Sequence, residues 1–225
     1  MIPLRDHNPS GTFPGVTVAL ILANVLVFFY EASLGPALQS FVAHYALIPA
    51  EVTGGFLYGT ATFASTASPL LTSMFLHGGW LHLIGNMWFL WIFGDNVEDT
   101  LGFWRYILFY VACGVGAGAT HLLVEPASTA PTLGASGAIA GVLGAYAVLF
   151  PRARIVTLIP VFFYIQLVEL PALIVLGMWF VLQLFNGSLA LASSVGGGIA
   201  WGAHIGGFLV GALLILLLRP RRVSI

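Results

Sequence analysis

The sequence predicts an all-α polytopic membrane protein: one bundle of six transmembrane helices occupying residues 1–225, with both termini in the cytoplasm. Three observations carry that expectation. Only 15 of the 225 residues are charged (7 basic and 8 acidic), while 59% are hydrophobic and the mean hydropathy is +1.00. A soluble domain carries about 25% charged residues, so a chain this poor in charge cannot cover its surface in water, and its solvent is lipid. The apolar residues also fall into six long runs, and all 7 basic residues are arginines (Arg5, Arg105, Arg152, Arg154, Arg219, Arg221, Arg222) lying only between or beyond them.

The first span, 16–31, follows a polar start from Arg5 to Gly11. No small-x-small cleavage site follows it, so it reads as a retained span and not as a signal peptide. Residues 34–69 contain Pro49, Pro69, a Gly-Gly pair and several Ser and Thr. That stretch is too broken to cross, and is expected to be an outer loop lying at the membrane surface. The second span, 70–93, ends at Gly94-Asp95-Asn96-Val97-Glu98-Asp99; the third is 103–124. A proline-bounded loop, Glu125 to Pro131, leads to the fourth span at 136–150, which stops at Pro151.

Residues 155–185 are apolar for about 31 positions, about 46 Å as helix, against a hydrocarbon core of about 30 Å. Pro160, Gln166, Glu169 and Pro171 fall in the first half. Residues 154–169 are therefore placed at the interface, with Glu169 among them, and the fifth span at 170–186. The sixth, 198–218, ends in Arg219-Pro220-Arg221-Arg222. With six spans, the N-terminus, the loops after spans two and four, and the C-terminus share one side, and that side holds every arginine. The positive-inside rule makes it the cytoplasm. Segments 34–69, 125–135 and 186–197 then face outward, and the expected location is a cell membrane of the prokaryotic inner or plasma type.

Composition removes several function classes. A net charge of −1 offers no basic footprint, so nucleic acid is not a partner. The single cysteine, Cys113, excludes an intramolecular disulfide, a Cys-rich metal cluster and a Cys-pair redox motif; it reads as small apolar filler.

Polar groups left inside apolar spans are expensive and mark functional candidates. Span two places His82 and Asn86 four residues apart, on one helix face; a polar helix–helix contact is the plainer reading. His77, about 140° away round a helix and followed by Gly78-Gly79, is read as support for the helix start, outside that cluster. Span four opens with Gly134-Ala135-Ser136-Gly137-Ala138-Ile139-Ala140-Gly141. Ser136 suits a helix N-cap, with Gly137 and Gly141 as a packing face. It equally suits a nucleophile, since small neighbours admit a substrate and free helix amides favour developing negative charge. Counting back from Pro151 sinks the serine several ångströms below the outer boundary.

Span six carries Gly202-Ala203-His204-Ile205-Gly206-Gly207 and Gly211. If its small face meets that of span four, His204 comes within reach of Ser136 as a general base. No aspartate lies in any apolar run after Asp6, so no orienting carboxylate is at hand and the histidine is expected to work with the serine alone. From the residues alone a hydrolase and a polar packing core both stay open. A small transporter or channel would use the same residue types, but no internal repeat and no carboxylate within a span supports ion coupling. There is no H-E-x-x-H, and no paired aspartates.

Gly134-Ala135-Ser136-Gly137, His82 with Asn86, and Gly202-Ala203-His204-Ile205-Gly206-Gly207 resemble the signature elements of the rhomboid family of intramembrane serine proteases. Gly94 to Gly102, with Glu98 between, is similar to the family's turn after the second span, and the likeness runs from about Thr72 to Gly211. The resemblance implies a six-helix core in which Ser136 attacks the scissile carbonyl and His204 serves as base and then acid. His82 and Asn86, with the Ser136 amide, would hold the oxyanion, and Gly134, Gly137 and Gly202 would shape the site. It implies no metal and no soluble cofactor, a surround of membrane lipid, and single-pass transmembrane proteins as substrates. A relative that binds membrane proteins without cutting them is the alternative within the family. Many members carry Trp-Arg in the first outer loop where this chain has Ser68 and Pro69. The run Gly196-Gly197-Gly198 before span six is read as a lid or hinge, or equally as a tight turn.

Overall fold

The computed structural model describes residues 1–161, 164–193 and 200–218. The triglycine at 196–198 and the arginines at 219, 221 and 222 lie outside them. The described residues form helices α1 (Gly15–Ser33), α2 (Leu38–Tyr45), α3 (Pro49–Leu57), α4 (Phe63–Thr72), α5 (Trp80–Leu101), α6 (Phe103–Val124), α7 (Ser136–Leu149), α8 (Ala172–Ser193) and α9 (Trp201–Leu218), with strands β1 (Ile2–Asp6), β2 (Arg154–Val161) and β3 (Tyr164–Pro171). Helices α1, α6 and α9 are each long and apolar enough to cross a bilayer. The chain is a mostly helical membrane protein.

Helix α7 is the axis of the bundle. It is apolar all round, and every residue from Gly137 to Ala147 is buried, as expected of a helix enclosed on all sides. It packs on α9, α6 and α5. Against α9 the two backbones touch: a methyl added at Gly207 would lie 2.0 Å from the Gly137 carbonyl oxygen, and one at Gly211 2.0 Å from that of Gly141. Close approach of this kind is what small-xxx-small faces permit in a bilayer. Cys113 is fully buried in the apolar core, where it meets Gly141.

Four expectations are corrected. The chain is not wholly helical: β1, β2 and β3 make an antiparallel sheet in that order, pairing Asp6 with Ile155 and Arg154 with Pro171. The segment placed at the interface is thus a strand pair. Its β-branched residues suit a pleated surface and its prolines bar a continuous helix. Glu169 sits on the exposed β3, 3.2 Å from His7.

The second long helix runs from Trp80 to Leu101, not 70–93. Residues 70–79 belong to the end of α4, a 3-10 turn at Ser73–Phe75 and an extended link. At its other end the acidic residues stay helical because they have partners. Glu98 accepts the N–H groups of Val16 and Thr17, each at 2.8 Å, and Asp99 that of Gly11 at 3.0 Å. Gly102, at φ +74°, ends the helix in a conformation that favours glycine.

The segment 34–69, expected to be an outer loop, folds into three short helices, the third capped by a reciprocal Thr62–Ser65 pair. A carboxylate also lies in a span, against expectation. Glu31, near the end of α1, is only 3% exposed and accepts the His77 N–H at 3.1 Å.

Candidate active site

Ser136 is the first residue of α7, and no side chain caps that helix. Its hydroxyl is used elsewhere: Ser136 Oγ lies 2.7 Å from His204 Nε2. The glycine contacts of α7 with α9 bring this about, since they let a serine on the first turn of one helix reach an imidazole on the first turn of the other.

The serine is not the only hydrogen-bond partner of His204. Its Nδ1 lies 2.7 Å from Gln183 Oε1, on α8. An amide oxygen can only accept, so Nδ1 carries the ring proton and donates. Nε2 then presents its lone pair to the serine O–H. The Trp179 ring, one turn earlier on α8, packs 6.0 Å from the imidazole, and Trp201 meets it edge-on at 6.1 Å. Gln183 was missed in the sequence reading, although a lone amide in an apolar span was its signal: such a group is costly to bury without a partner.

The second cluster is larger than expected. Asn86 Nδ2 donates to His77 Nε2 at 3.0 Å, and the rings of His77 and His82 lie 5.1 Å apart. His77 therefore belongs with His82 and Asn86. The 140° separation holds only if His77 is helical, and the chain turns at Gly78-Gly79 before α5 begins.

Gly134 joins the two clusters. Its φ is +123°, and a methyl there would stand 2.7 Å from the His82 ring and 3.5 Å from Asn86 Nδ2. Only glycine lets the strand before Ser136 run against these side chains. Gly137 meets Ala117 of α6, where a methyl would come within 2.7 Å. Gly202 faces α6 near His121 and Val124, so it packs the bundle and does not flank Ser136.

The loop before Ser136 is held from outside. Gly134 N–H donates to the Ser73 carbonyl at 2.8 Å, and Leu47 and Thr132 exchange backbone hydrogen bonds of 3.0 and 2.8 Å. Thr53 Oγ1 reaches the Pro126 carbonyl at 2.7 Å. The short helices of segment 34–69 thus brace the serine's approach strand. Ser136, His204, Gln183, His82 and Asn86 all face one cavity of about 1020 Å³.

Fold and site together define a class: a helical membrane protein with a serine–imidazole pair and a set of hydrogen-bond donors around an internal cavity. The family model described as Rhomboid domain matches residues 64–221, and the chain belongs to the rhomboid family. It is 34% identical to RHOMBOID-like protein 5 of Arabidopsis thaliana over 68% of this chain and 45% of that one. To Rhomboid protein 1, mitochondrial, of Saccharomyces cerevisiae it is 30% identical over 93% and 56% respectively. To Rhomboid-like protein 11, chloroplastic, of Arabidopsis thaliana it is 33% identical over 66% and 51%. The chain spans about half the length of these relatives. Two of them carry organelle names, so the expectation of a prokaryotic plasma membrane gains no support from them.

Proposed function

We propose that this chain is an intramembrane serine endopeptidase that hydrolyses peptide bonds in or near the transmembrane segments of single-pass membrane proteins. The observation that carries the reading is the 2.7 Å approach of Ser136 Oγ to His204 Nε2, with the ring proton parked on the far nitrogen. The serine O–H donates to Nε2. As Oγ attacks the scissile carbonyl carbon, that proton passes to His204 and the imidazole becomes cationic. The carbonyl oxygen takes up the negative charge. The Ser136 N–H is unpaired within its helix because it sits at the N-terminus, and with Asn86 and His82 it supplies donors for that oxyanion. His204 then protonates the leaving amine, and water admitted through the cavity hydrolyses the acyl-enzyme by the same steps. No metal or soluble cofactor enters the scheme.

In this reading residues 1–225 are one membrane-embedded unit in which α1, α5, α6, α7, α8 and α9 make six crossings. Both termini and the arginines lie in the cytoplasm, and the cavity opens to the opposite side.

Cleavage of a transmembrane reporter by purified protein in liposomes tests the proposal. Wild type is expected to cut, Ser136→Ala and His204→Ala to fall to background, and a fluorophosphonate to label Ser136 only while His204 is present. Cleavage surviving in both variants overturns the assignment. A folded wild type that never cuts or labels points instead to a relative that binds membrane proteins without cutting them.

A further inference from the structure

We infer that Gln183 is a positioning residue for His204, so that α8 sets the tautomer and orientation of the base. This rests on the Ser136–His204 reading above. Gln183 is only 8% exposed, and its Oε1 accepts the Nδ1 proton at 2.7 Å. Among the described residues this is the one side-chain hydrogen bond that α8 makes to another helix. A free neutral imidazole divides its proton between the two nitrogens, and the Nε2–H form cannot take a proton from serine. Holding the proton on Nδ1 keeps Nε2 basic and points the ring at Ser136. Trp179 walls the same imidazole from one turn away, so α8 fixes it by packing and by hydrogen bond together.

An amide differs from the aspartate of a serine-protease triad. It fixes the tautomer but adds no negative charge beside the imidazolium, so it orients the base while doing less to stabilise the charged form. The titratable side chains that line the same cavity as His204 are His82 from α5, His121 from α6 and Glu125 just beyond α6, and none changes in the variants below.

The test compares wild type with Gln183→Met and Gln183→Glu, both close to glutamine in size. Gln183→Met keeps the volume and loses the acceptor. It is expected to lower kcat roughly 10- to 100-fold with little change in KM, the scale of one hydrogen bond to a group that becomes charged. Its acidic limb should move to lower pH, because the imidazolium has lost its partner. Gln183→Glu restores an acceptor, and is expected to recover most of the rate above neutrality with the acidic limb displaced to higher pH.

Nitrogen NMR of the labelled His204 ring reads the tautomer without reference to activity. Wild type is expected to hold the proton on Nδ1 and Gln183→Met to lose that preference. A Gln183→Met protein with wild-type kcat, pH profile and tautomer overturns the inference while leaving the serine assignment standing. A wild type with the Nδ1 proton in place but no Ser136-dependent cleavage instead defeats the proteolytic reading alone.

Discussion

Asn86 Nδ2 donates to His77 Nε2 at 3.0 Å, so a residue in the link before α5 orients an amide nearly two turns inside that helix. Because one amide hydrogen is held by His77, the other has a set direction. Replacing Asn86 by Ala is expected to lower kcat by roughly 10- to 1000-fold, the scale for losing one oxyanion donor. His77→Phe keeps an aromatic ring and removes the acceptor; its loss should be smaller, and should vanish in the Asn86→Ala background. Steady-state kinetics of the double-mutant cycle check this.

Gly134→Ala is expected to damage the site twice. The backbone there, at φ +123°, resists a side chain at a cost of about 1–3 kcal/mol, and the new methyl would meet the His82 ring at 2.7 Å. The measurement is a thermal melt paired with reporter cleavage, with activity expected to fall further than the lost stability accounts for.

Gly207→Ala tests the contact that brings serine and histidine together. The added methyl would fall 2.0 Å from the Gly137 carbonyl oxygen, so α7 and α9 must part. Destabilisation of about 3 kcal/mol or more is expected from overpacking of backbone against backbone. Fluorophosphonate labelling of Ser136 should be lost even in the fraction that stays folded.

Glu98→Gln probes the link between α1 and α5. The carboxylate takes two buried N–H groups at 2.8 Å each, whereas an amide offers one oxygen and turns its NH2 toward a donor. A loss of about 2–4 kcal/mol is expected, as for two hydrogen bonds to a charged group with one donor left unpaired. Denaturation in detergent micelles reads it directly.

Asp6, on β1 outside the spans, has its carboxyl held above the ordinary 3.8 by burial, although the hydrogen bond from Tyr146 pulls the other way. A carboxyl with a raised folded value favours the folded state least when ionised. Its contribution is therefore most favourable below pH 3.8 and is lost as pH rises from there through the folded value. Asp6→Asn removes that dependence. The difference in Tm between Asp6→Asn and wild type is expected to move in favour of the variant as pH rises above 3.8, and to level off once pH has passed the folded value.

The membrane character, the family resemblance and the candidate residues Ser136 and His204 were legible in the sequence. Apolar run length reports on lipid, and uncharged polar groups such as Ser136 and His204 stand out against it. Less was legible where a residue's partner is distant in the chain. The second span was placed too early because Asp95, Glu98 and Asp99 looked like an exit from the membrane. They stay helical because Glu98 binds the start of α1 and Asp99 the segment just before it, partners 81 to 88 residues away. The strand pair after Pro151 was missed for the same reason: β2 needs β1 from the other end of the chain.

The sequence by itself determined the solvent, the family and the chemical groups at the site, because these depend on composition and on residues near one another in the chain. Only the tertiary structure decided which groups lie together. Local spacing put His77 outside the cluster that it completes. The absence of aspartate left the histidine without a partner, until α8 folded Gln183 against it. Hydrogen bonds reach about 3 Å in space and take no account of separation along the chain, so pairs such as Gln183 with His204 exist only once the helices have packed.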